Sequence, residues 1–263
     1  MPVPTWRALP GPRHELAEEP TRLDDGLLYV DVPRGEIWRR ALAATARPVL
    51  SYRLEAPISA ARPDGTGGLV VATGTRLVRL RDGRETTLAR LPYDPVRWQV
   101  NGLVVLHDGR VLAGLLSRDR SEVGTLVLVD GAATRVVLPA VRAANGLCLD
   151  DTGLGGWQVD TYARTLTRFA VRGDDFDARV VATVGDLPGR PDGIGAAAAG
   201  GVWVAMWDGG VVARLDAAGK VTDVLPAPVA RPTCPLQLGP HLYVTTARAD
   251  DGTGGHLYRI PVA

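Results

Sequence analysis

The chain has 263 residues, 46% of them hydrophobic, which is enough for one large domain or two small ones with a sizeable core. Thirty basic residues stand against 29 acidic ones, and the formal net charge of +1 gives no reason to expect nucleic acid or an anionic membrane as partner. The N-terminal segment lacks a charged region followed by an apolar run, and no stretch reaches the roughly 18 apolar residues of a membrane span, so we expect a cytoplasmic protein with reduced cysteines.

Short apolar runs recur along the chain, and helical periodicity is scarce. Each run is rich in Val, Leu or aromatic residues and follows a Gly or Pro turn, as is typical of strands joined by hairpins. In chain order the runs are LLYVD (27–31), LVVAT (69–73), VLAG (111–114), WQVD (157–160), VWVA (202–205) and LYVT (242–245). Most of them lead through another turn to a second strand with an arginine near its end.

The runs share a fixed period. Each contains one small residue at the same place, namely Val30, Val71, Ala113, Val159, Val204 and Val244. These positions are separated by 41, 42, 46, 45 and 40 residues. Strands that repeat at this period indicate a β-propeller, whereas a β-sandwich would not explain the repeat. We therefore predict an all-β, six-bladed β-propeller with four antiparallel strands per blade, occupying residues 1–263 as a single domain.

Polar residues occupy one phase of this repeat. Counting back 11 to 14 residues from the six small positions gives Glu18, Ser59, Asn101, Asn145, Asp192 and Thr233. Because the innermost strand of each blade lines the central channel, we expect these side chains to form a ring. Two carboxylates that converge with amides would repel each other without a cation, and oxygen ligands suit a hard divalent ion.

Two alternatives to this metal site remain open at the level of the sequence. The stretch GRPDGIG (189–195) contains Pro191-Asp192-Gly193, which by itself is typical of a turn with glycine at positive φ. Glu19 competes with Glu18 for the place of the first ligand, although the repeat phase favours Glu18.

Four segments carry a resemblance to a known family. They are AEEPTRLDDGLLYVDVPRGEIWR, AANGLCLDDTGLGGWQVDTYARTLTRF, RPDGIGAAAAGGVWVAMWDGGVVARLDAAGK and RPTCPLQLGPHLYVTTAR. On these segments the chain resembles the senescence marker protein 30/gluconolactonase/luciferin-regenerating enzyme family, which includes regucalcin. The resemblance implies a six-bladed propeller with one divalent metal ion in the channel. Ca²⁺ is favoured, and Zn²⁺, Mn²⁺ or Mg²⁺ would also be compatible.

The resemblance also implies roles for individual residues. Glu18, Asn145 and Asp192 match the family's metal ligands, and Asn101 matches an asparagine that helps to bind substrate or metal-bound water. Characterised members mostly open lactones or other esters, with a general-base role at the position of Asp192. We therefore expect Asp192 and Asn101 to be catalytic. Other hydrolytic routes lack support, since the chain has no Gly-x-Ser-x-Gly motif, and its four histidines form no zinc pattern and are expected at the surface or in turns.

The chain departs from the family where substrate is recognised. Arg-x-Asn-Asp-Gly of the sugar-lactone members is Gln99-Val100-Asn101-Gly102-Leu103 here, and their Gly-Thr-Met is Gly114-Leu115-Leu116. The loss of polar groups and the gain of leucines predict a less polar substrate than a sugar lactone. The expected substrate contacts are Asn101, Gln99, Trp98, Leu115 and Trp207. For the two tryptophans, blade packing is the alternative.

Three functions remain compatible with the sequence. The first is a metal-dependent hydrolase that opens a lactone or related ester. The second is a biosynthetic enzyme that uses the same metal as a Lewis acid for cyclisation, rearrangement or isomerisation. The third is a propeller that binds a ligand or metal ion without catalysis. In each case the expected partner is a small molecule, and the protein is a monomer or a homodimer.

Overall fold

The computed structural model describes residues 5–262, which form six antiparallel sheets of four strands each. The first blade is β2 (Ala17–Leu23), β3 (Gly26–Asp31), β4 (Glu36–Ala41) and β5 (Val49–Arg53). The second blade is β6 (Ile58–Pro63), β7 (Leu69–Thr73), β8 (Arg76–Arg81) and β9 (Arg84–Arg90). The third blade is β10 (Trp98–Val105), β11 (Val111–Ser117), β12 (Gly124–Asp130) and β13 (Ala133–Val141). The fourth and fifth blades are β14 (Ala144–Leu149), β15 (Gly155–Asp160), β16 (Thr165–Arg172) and β17 (Asp175–Thr183); and β18 (Arg190–Ala196), β19 (Val202–Trp207), β20 (Val211–Leu215) and β21 (Val221–Pro226). The sixth blade is β22 (Pro232–Leu238), β23 (His241–Thr246), β24 (Tyr258–Pro261) and β1 (Arg7–Ala8). Two short 3-10 turns lie at Val32–Arg34 and Ala198–Gly200.

The first strands of the blades surround a central channel. Each of β2, β6, β10, β14, β18 and β22 contacts the corresponding strand of the next blade, and β22 contacts β2, so that the ring is closed. The prediction of an all-β, six-bladed propeller is thereby confirmed. Within residues 5–262, no helix is long and apolar enough to cross a membrane.

The second strand of each blade explains the apolar runs of the sequence. Strands such as β3, β7 and β15 are buried along their whole length, because neighbouring blades cover both of their faces. The buried apolar residues form six clusters, and each cluster joins two adjacent blades. A strand buried on both faces shows a continuous apolar run, which is the pattern that the sequence repeats.

The two ends of the described chain close the ring together. Strand β1 pairs with β24, and the amide of Leu9 donates a hydrogen bond of 2.9 Å to the carbonyl of Leu257. Leu9 is buried in the cluster that joins the sixth and first blades. The last blade therefore consists of both ends of the described chain.

His14 lies beside this seam and corrects a sequence expectation. It was expected at the surface or in a turn, but it is buried. Its Nδ1 lies 3.2 Å from Asp31 Oδ2, and its Nε2 lies 3.0 Å from the Tyr29 hydroxyl. The expectation is wrong because a lone histidine carries no pattern that would reveal buried polar partners on another strand.

Candidate metal and substrate site

An irregularity in every innermost strand positions the polar ring. The pairing register shifts between Glu18 and Thr21, Ile58 and Ala60, Val100 and Gly102, Ala144 and Leu147, Pro191 and Ile194, and Pro232 and Cys234. All six predicted ring residues lie at these shifts or directly beside them. A β-bulge redirects side chains and is enriched next to active sites. The repeat phase found in the sequence is therefore the phase of the bulges.

The Pro-Asp-Gly segment is such a bulge and is not a turn. Pro191, Asp192 and Gly193 all lie inside β18, and Gly193 is not among the glycines with positive φ. Glycine is needed here for space: a Cβ on Gly193 would lie 2.5 Å from Cys234 Cβ. A Cβ on Gly146, which follows Asn145, would lie 2.7 Å from the carbonyl oxygen of Asp192. The two glycines thus permit neighbouring inner strands to approach closely beside the ring.

Four members of the ring line one cavity of about 190 Å³, namely Glu18, Asn101, Asn145 and Asp192. The remaining lining residues are Leu16, Arg120, Thr161, Tyr162, Arg190 and Trp207. Ser59 and Thr233 do not line it. The Thr233 hydroxyl instead donates a hydrogen bond of 2.6 Å to the carbonyl of Ala17.

A chain of hydrogen bonds links the two asparagines to Asp192. Asn101 Nδ2 donates to Asn145 Oδ1 at 2.9 Å, and Asn145 Nδ2 donates to Asp192 Oδ1 at 2.5 Å and to Thr161 Oγ1 at 3.1 Å. An amide oxygen has two lone pairs, so Asn145 Oδ1 retains one for a further partner. The arrangement orients all three side chains within the cavity.

The two carboxylates of the cavity are electrostatically unsatisfied. Asp192 is buried, and its Oδ2 has no hydrogen-bond partner among the described residues. Burial raises the pKa of Asp192 to about 7, against a lowering contribution from the Asn145 hydrogen bond. Burial also raises the pKa of Glu18 well above its ordinary value, and the nearby charge of Asp192 adds to the rise. A buried charge requires a partner, and a cation between these oxygens would supply one. The donor set therefore fits a hard divalent ion.

Glu18 and Glu19 have different surroundings. Glu18 lines the cavity, whereas Glu19 has a φ of 54° and forms an ion pair with the largely buried Arg62. One ligand atom from each of Glu18, Glu19 and Cys234 lies within 4.8 Å of the others. Burial raises the pKa of the Cys234 thiol well above its ordinary value, which keeps it protonated and a poor metal ligand. These surroundings favour Glu18 over Glu19 as the carboxylate that faces the cavity.

The predicted substrate contacts divide into two groups. Asn101 and Trp207 line the cavity. Trp98 and Leu115 instead pack in the buried cluster between the second and third blades. Gln99 accepts a hydrogen bond of 2.8 Å from Arg118 and is not among the lining residues.

The expectation of a substrate less polar than a sugar lactone therefore loses its basis. Leu103, Leu115 and Leu116 are at most 1% exposed and lie in the blade interior. The cavity instead contains two arginines, Arg120 and Arg190, which the sequence analysis did not select. Arg190 directly precedes the Pro-Asp-Gly bulge, so its position was a usable signal. Arg120 lies in the loop between β11 and β12, where the repeat pattern gives no signal that would identify a site residue.

The SMP-30/gluconolactonase/LRE-like profile matches residues 16–248. The chain is similar to pentonolactonase XacC of Haloferax volcanii, with 32% identity over 68% of this chain and 64% of that protein. It is also similar to regucalcin of Xenopus laevis, with 29% identity over 84% of this chain and 79% of that protein.

Among solved structures, the calcium-binding protein regucalcin of Agrobacterium tumefaciens superposes with a TM-score of 0.86 and 23% identity over 98% of this chain and 95% of that chain. The superposition supports the fold. The family profile covers most of the propeller, including Glu18, Asn101, Asn145 and Asp192. The chain therefore belongs to the SMP-30/gluconolactonase/LRE-like family.

Proposed function

We propose that the protein is a metal-dependent lactone hydrolase with Glu18, Asn145 and Asp192 as metal ligands. The observation that carries the proposal is the convergence of these oxygens in one cavity, with Asp192 Oδ2 buried and unpartnered. Family membership and the similarity to a pentonolactonase support the lactone as substrate class. A divalent ion held by these oxygens would supply a Lewis acid that polarises the lactone carbonyl and eases the deprotonation of water.

The side chains of the cavity divide the remaining work. Asp192 is the candidate base: the carboxylate oxygen that the metal leaves free takes a proton from the attacking water and returns it to the ring oxygen when the acyl C–O bond breaks. The product is a hydroxy acid. Asn101 presents an amide close to Asn145 and Asp192, and it can orient the water or the substrate. Trp207 and Tyr162 are candidates for the apolar contacts that hold the lactone ring in the cavity.

The proposal predicts activity that depends on both the metal and Asp192. Purified protein loaded in turn with Ca²⁺, Zn²⁺, Mn²⁺ and Mg²⁺ should open at least one lactone of a panel in a pH-indicator assay, and EDTA should abolish the rate. Asp192→Ala should lower kcat/KM by at least about 10²-fold, the contribution typical of a general base, while circular dichroism shows a folded protein.

Asp223 offers a matched control, since it is exposed on β21, the outermost strand of the same blade. Asp223→Ala should leave both the rate and metal binding unchanged. Activity that persists after chelation and in Asp192→Ala would overturn the proposal. Tight metal binding without turnover of any lactone would favour the reading of the fold as a binding module.

A further inference from the structure

We propose that the substrate carries a negatively charged group, a carboxylate in the first instance, and that Arg120 binds it. The inference rests on the proposed function for the location of the reacting carbonyl. It adds a substrate class and a specificity residue to that site.

Arg120 is a cavity residue with no close acidic partner among residues 5–262. Its side chain is exposed at the cavity that Glu18 and Asp192 line. Within residues 5–262, Arg120 forms no ion pair within 4.0 Å, although its charge acts on Asp192 at longer range. The adjacent Asp119 is already engaged, because its Oδ1 accepts hydrogen bonds from the amide and hydroxyl of Ser121 at 3.0 and 2.7 Å. The Arg120 guanidinium is therefore available to a ligand in the cavity.

The backbone at Arg120 adds an independent observation. Its φ is 62°, in the left-handed region, where glycine is the inexpensive choice. A residue other than glycine in this conformation costs of order 1–3 kcal/mol, and such residues cluster at active sites and ligand clamps. Arg120 closes the turn that begins at Ser117, since its amide donates a hydrogen bond of 3.1 Å to that carbonyl. Five other non-glycine residues, Ala140 among them, also have positive φ, so the conformation fixes where the Arg120 side chain begins and does not by itself assign it a role.

The charges of the cavity favour an anion once a metal ion is bound. The lining contains two carboxylates, Glu18 and Asp192, and two guanidinium groups, Arg120 and Arg190. A divalent ion would neutralise the two carboxylates and leave the guanidinium groups in excess. Arg190 is already paired, with its Nη2 3.2 Å from Asp208 Oδ2. With the charge of Asp192 taken up by the ion, Arg120 would be the lining guanidinium group without a close acidic partner.

A carboxylate is the chemistry that this group recognises best. Arginine offers a planar fork of donors that matches a carboxylate in bidentate geometry, and such charge-assisted hydrogen bonds are stronger than neutral ones. The hydroxyl groups of a neutral sugar lactone accept hydrogen bonds from a guanidinium but do not neutralise its charge. The substrate class that fits is a lactone with a second, ionised carboxyl group outside the ring.

The test compares two lactones that differ only in charge. They are γ-butyrolactone with a carboxylate on its γ-carbon and the corresponding carboxamide. Metal-loaded wild-type protein should hydrolyse the carboxylate with a kcat/KM about tenfold or more above that of the carboxamide, which is the scale of one hydrogen bond to a charged group. Arg120→Gln should abolish this preference and change the rate on the carboxamide little.

Arg118 offers a matched control on the same loop. It is equally exposed, but its guanidinium bonds Gln99 Oε1 and the carbonyl of Pro95. Arg118→Gln should keep the preference for the carboxylate. Arg120→Gly separates binding from folding: it should lose the preference but melt at or above the wild-type temperature, because glycine relieves the strained φ.

Direct binding separates this inference from the proposed hydrolysis. Titration calorimetry with tetrahydrofuran α-carboxylate and its carboxamide needs no turnover. Because a carboxylate can also contact the metal, the comparison of Arg120→Gln with Arg118→Gln is decisive. If no lactone is opened but Arg120→Gln alone weakens carboxylate binding, the hydrolase proposal fails and the inference stands. Equal binding of the carboxylate by both variants and the wild type would overturn the inference.

Discussion

At the scale of single residues, the site depends on a position that has no side chain. Gly146 follows Asn145 on β14 and faces β18, and a Cβ there would lie 2.7 Å from both the carbonyl oxygen of Asp192 and the amide nitrogen of Ile194. Both are backbone atoms, so neither can rotate away. We predict that Gly146→Ala destabilises the fold by about 1–3 kcal/mol, as overpacking does, and weakens metal binding by displacing Asp192. Chemical denaturation and metal titration measure the two effects.

Gly185 provides the control for this substitution. It has ordinary φ, and a Cβ on it would meet nothing within 4 Å. Gly185→Ala should change stability by no more than about 1 kcal/mol, in the stabilising direction, and leave metal affinity unchanged. Equal stability and metal affinity in the two variants would show that the close approach at Gly146 does not position Asp192.

The same scale shows why some site residues were predictable and others were not. Asn145 and Asp192 could be found because the bulges recur with the repeat. Leu115 could not be assigned correctly, because it lies on β11, a second strand whose side chains pack between blades. Gln99 lies two residues before Asn101 on the same strand, but its amide is held by Arg118 from a neighbouring loop. A contact of this kind, between a strand and a loop, produces no repeating pattern in the sequence.

At the scale of elements, buried aspartates fix the start of two strands that carry proposed metal ligands. Asp31 ends β3, and its carboxylate accepts hydrogen bonds from the amides of Glu15 and Leu16 at 3.3 and 3.2 Å, just before β2 and Glu18. Asp160 ends β15 and accepts from the amides of Arg142 and Ala143 at 2.7 and 3.1 Å, just before β14. The final Asp of LLYVD and of WQVD thus has one role in two blades. The repeated aspartate is visible in the sequence, but only the structure shows that its carboxylate binds the amides that precede the inner strand of the same blade.

Asp31 makes stability depend on pH. Burial alone would raise the pKa of Asp31, but hydrogen bonds from His14, Leu16 and Glu15 outweigh burial and hold the pKa below its ordinary value. The ionised carboxylate therefore stabilises the fold above the unfolded pKa of about 3.9, and this contribution is lost as the pH falls through the folded pKa. The other charged groups at this carboxylate are Arg34, at 3.7 Å, and Glu36 of the same buried cluster.

We predict that Asp31→Asn lowers the free energy of unfolding by about 1–3 kcal/mol at neutral pH, because buried donors lose a charged acceptor. The difference from the wild type should shrink below about pH 4, where the carboxyl of the unfolded chain becomes protonated, and disappear as the pH falls through the lower folded pKa. Urea titrations at several pH values measure it. Asp24→Asn, at an exposed position of the same blade, should show neither effect. A difference that persists unchanged at low pH would exclude the charge of Asp31 as its origin.

At the scale of the whole molecule, the sixth blade is completed by a very short strand. The sequence period predicted six blades, but it could not show that β1, with only two residues, completes the sixth. Two residues form no recognisable strand pattern, and their pairing with β24 joins positions about 250 residues apart, Arg7 with Arg259 and Ala8 with Tyr258. Much of the stability of this seam must then come from packing. Leu9 provides it, since it is 4% exposed and packs in the cluster that contains Tyr29, Tyr243 and Leu257.

Leu9→Ala should therefore open the ring more readily. We predict a loss of about 2–5 kcal/mol in the free energy of unfolding, the range for a buried leucine replaced by alanine. Hydrogen exchange should show faster opening of β24 than of β20, because only β24 pairs with the N-terminal strand β1.

Leu42→Ala is the control, since Leu42 is 41% exposed and its truncation should lower the free energy of unfolding by no more than about 0.5 kcal/mol. Because Glu18 and Thr233 lie on the two inner strands that meet at this seam, an opened ring would also displace Glu18, the first proposed metal ligand, so metal affinity should fall together with stability. A Leu9→Ala protein with wild-type exchange in β24 would show that the hydrogen bonds of β1 suffice to close the propeller.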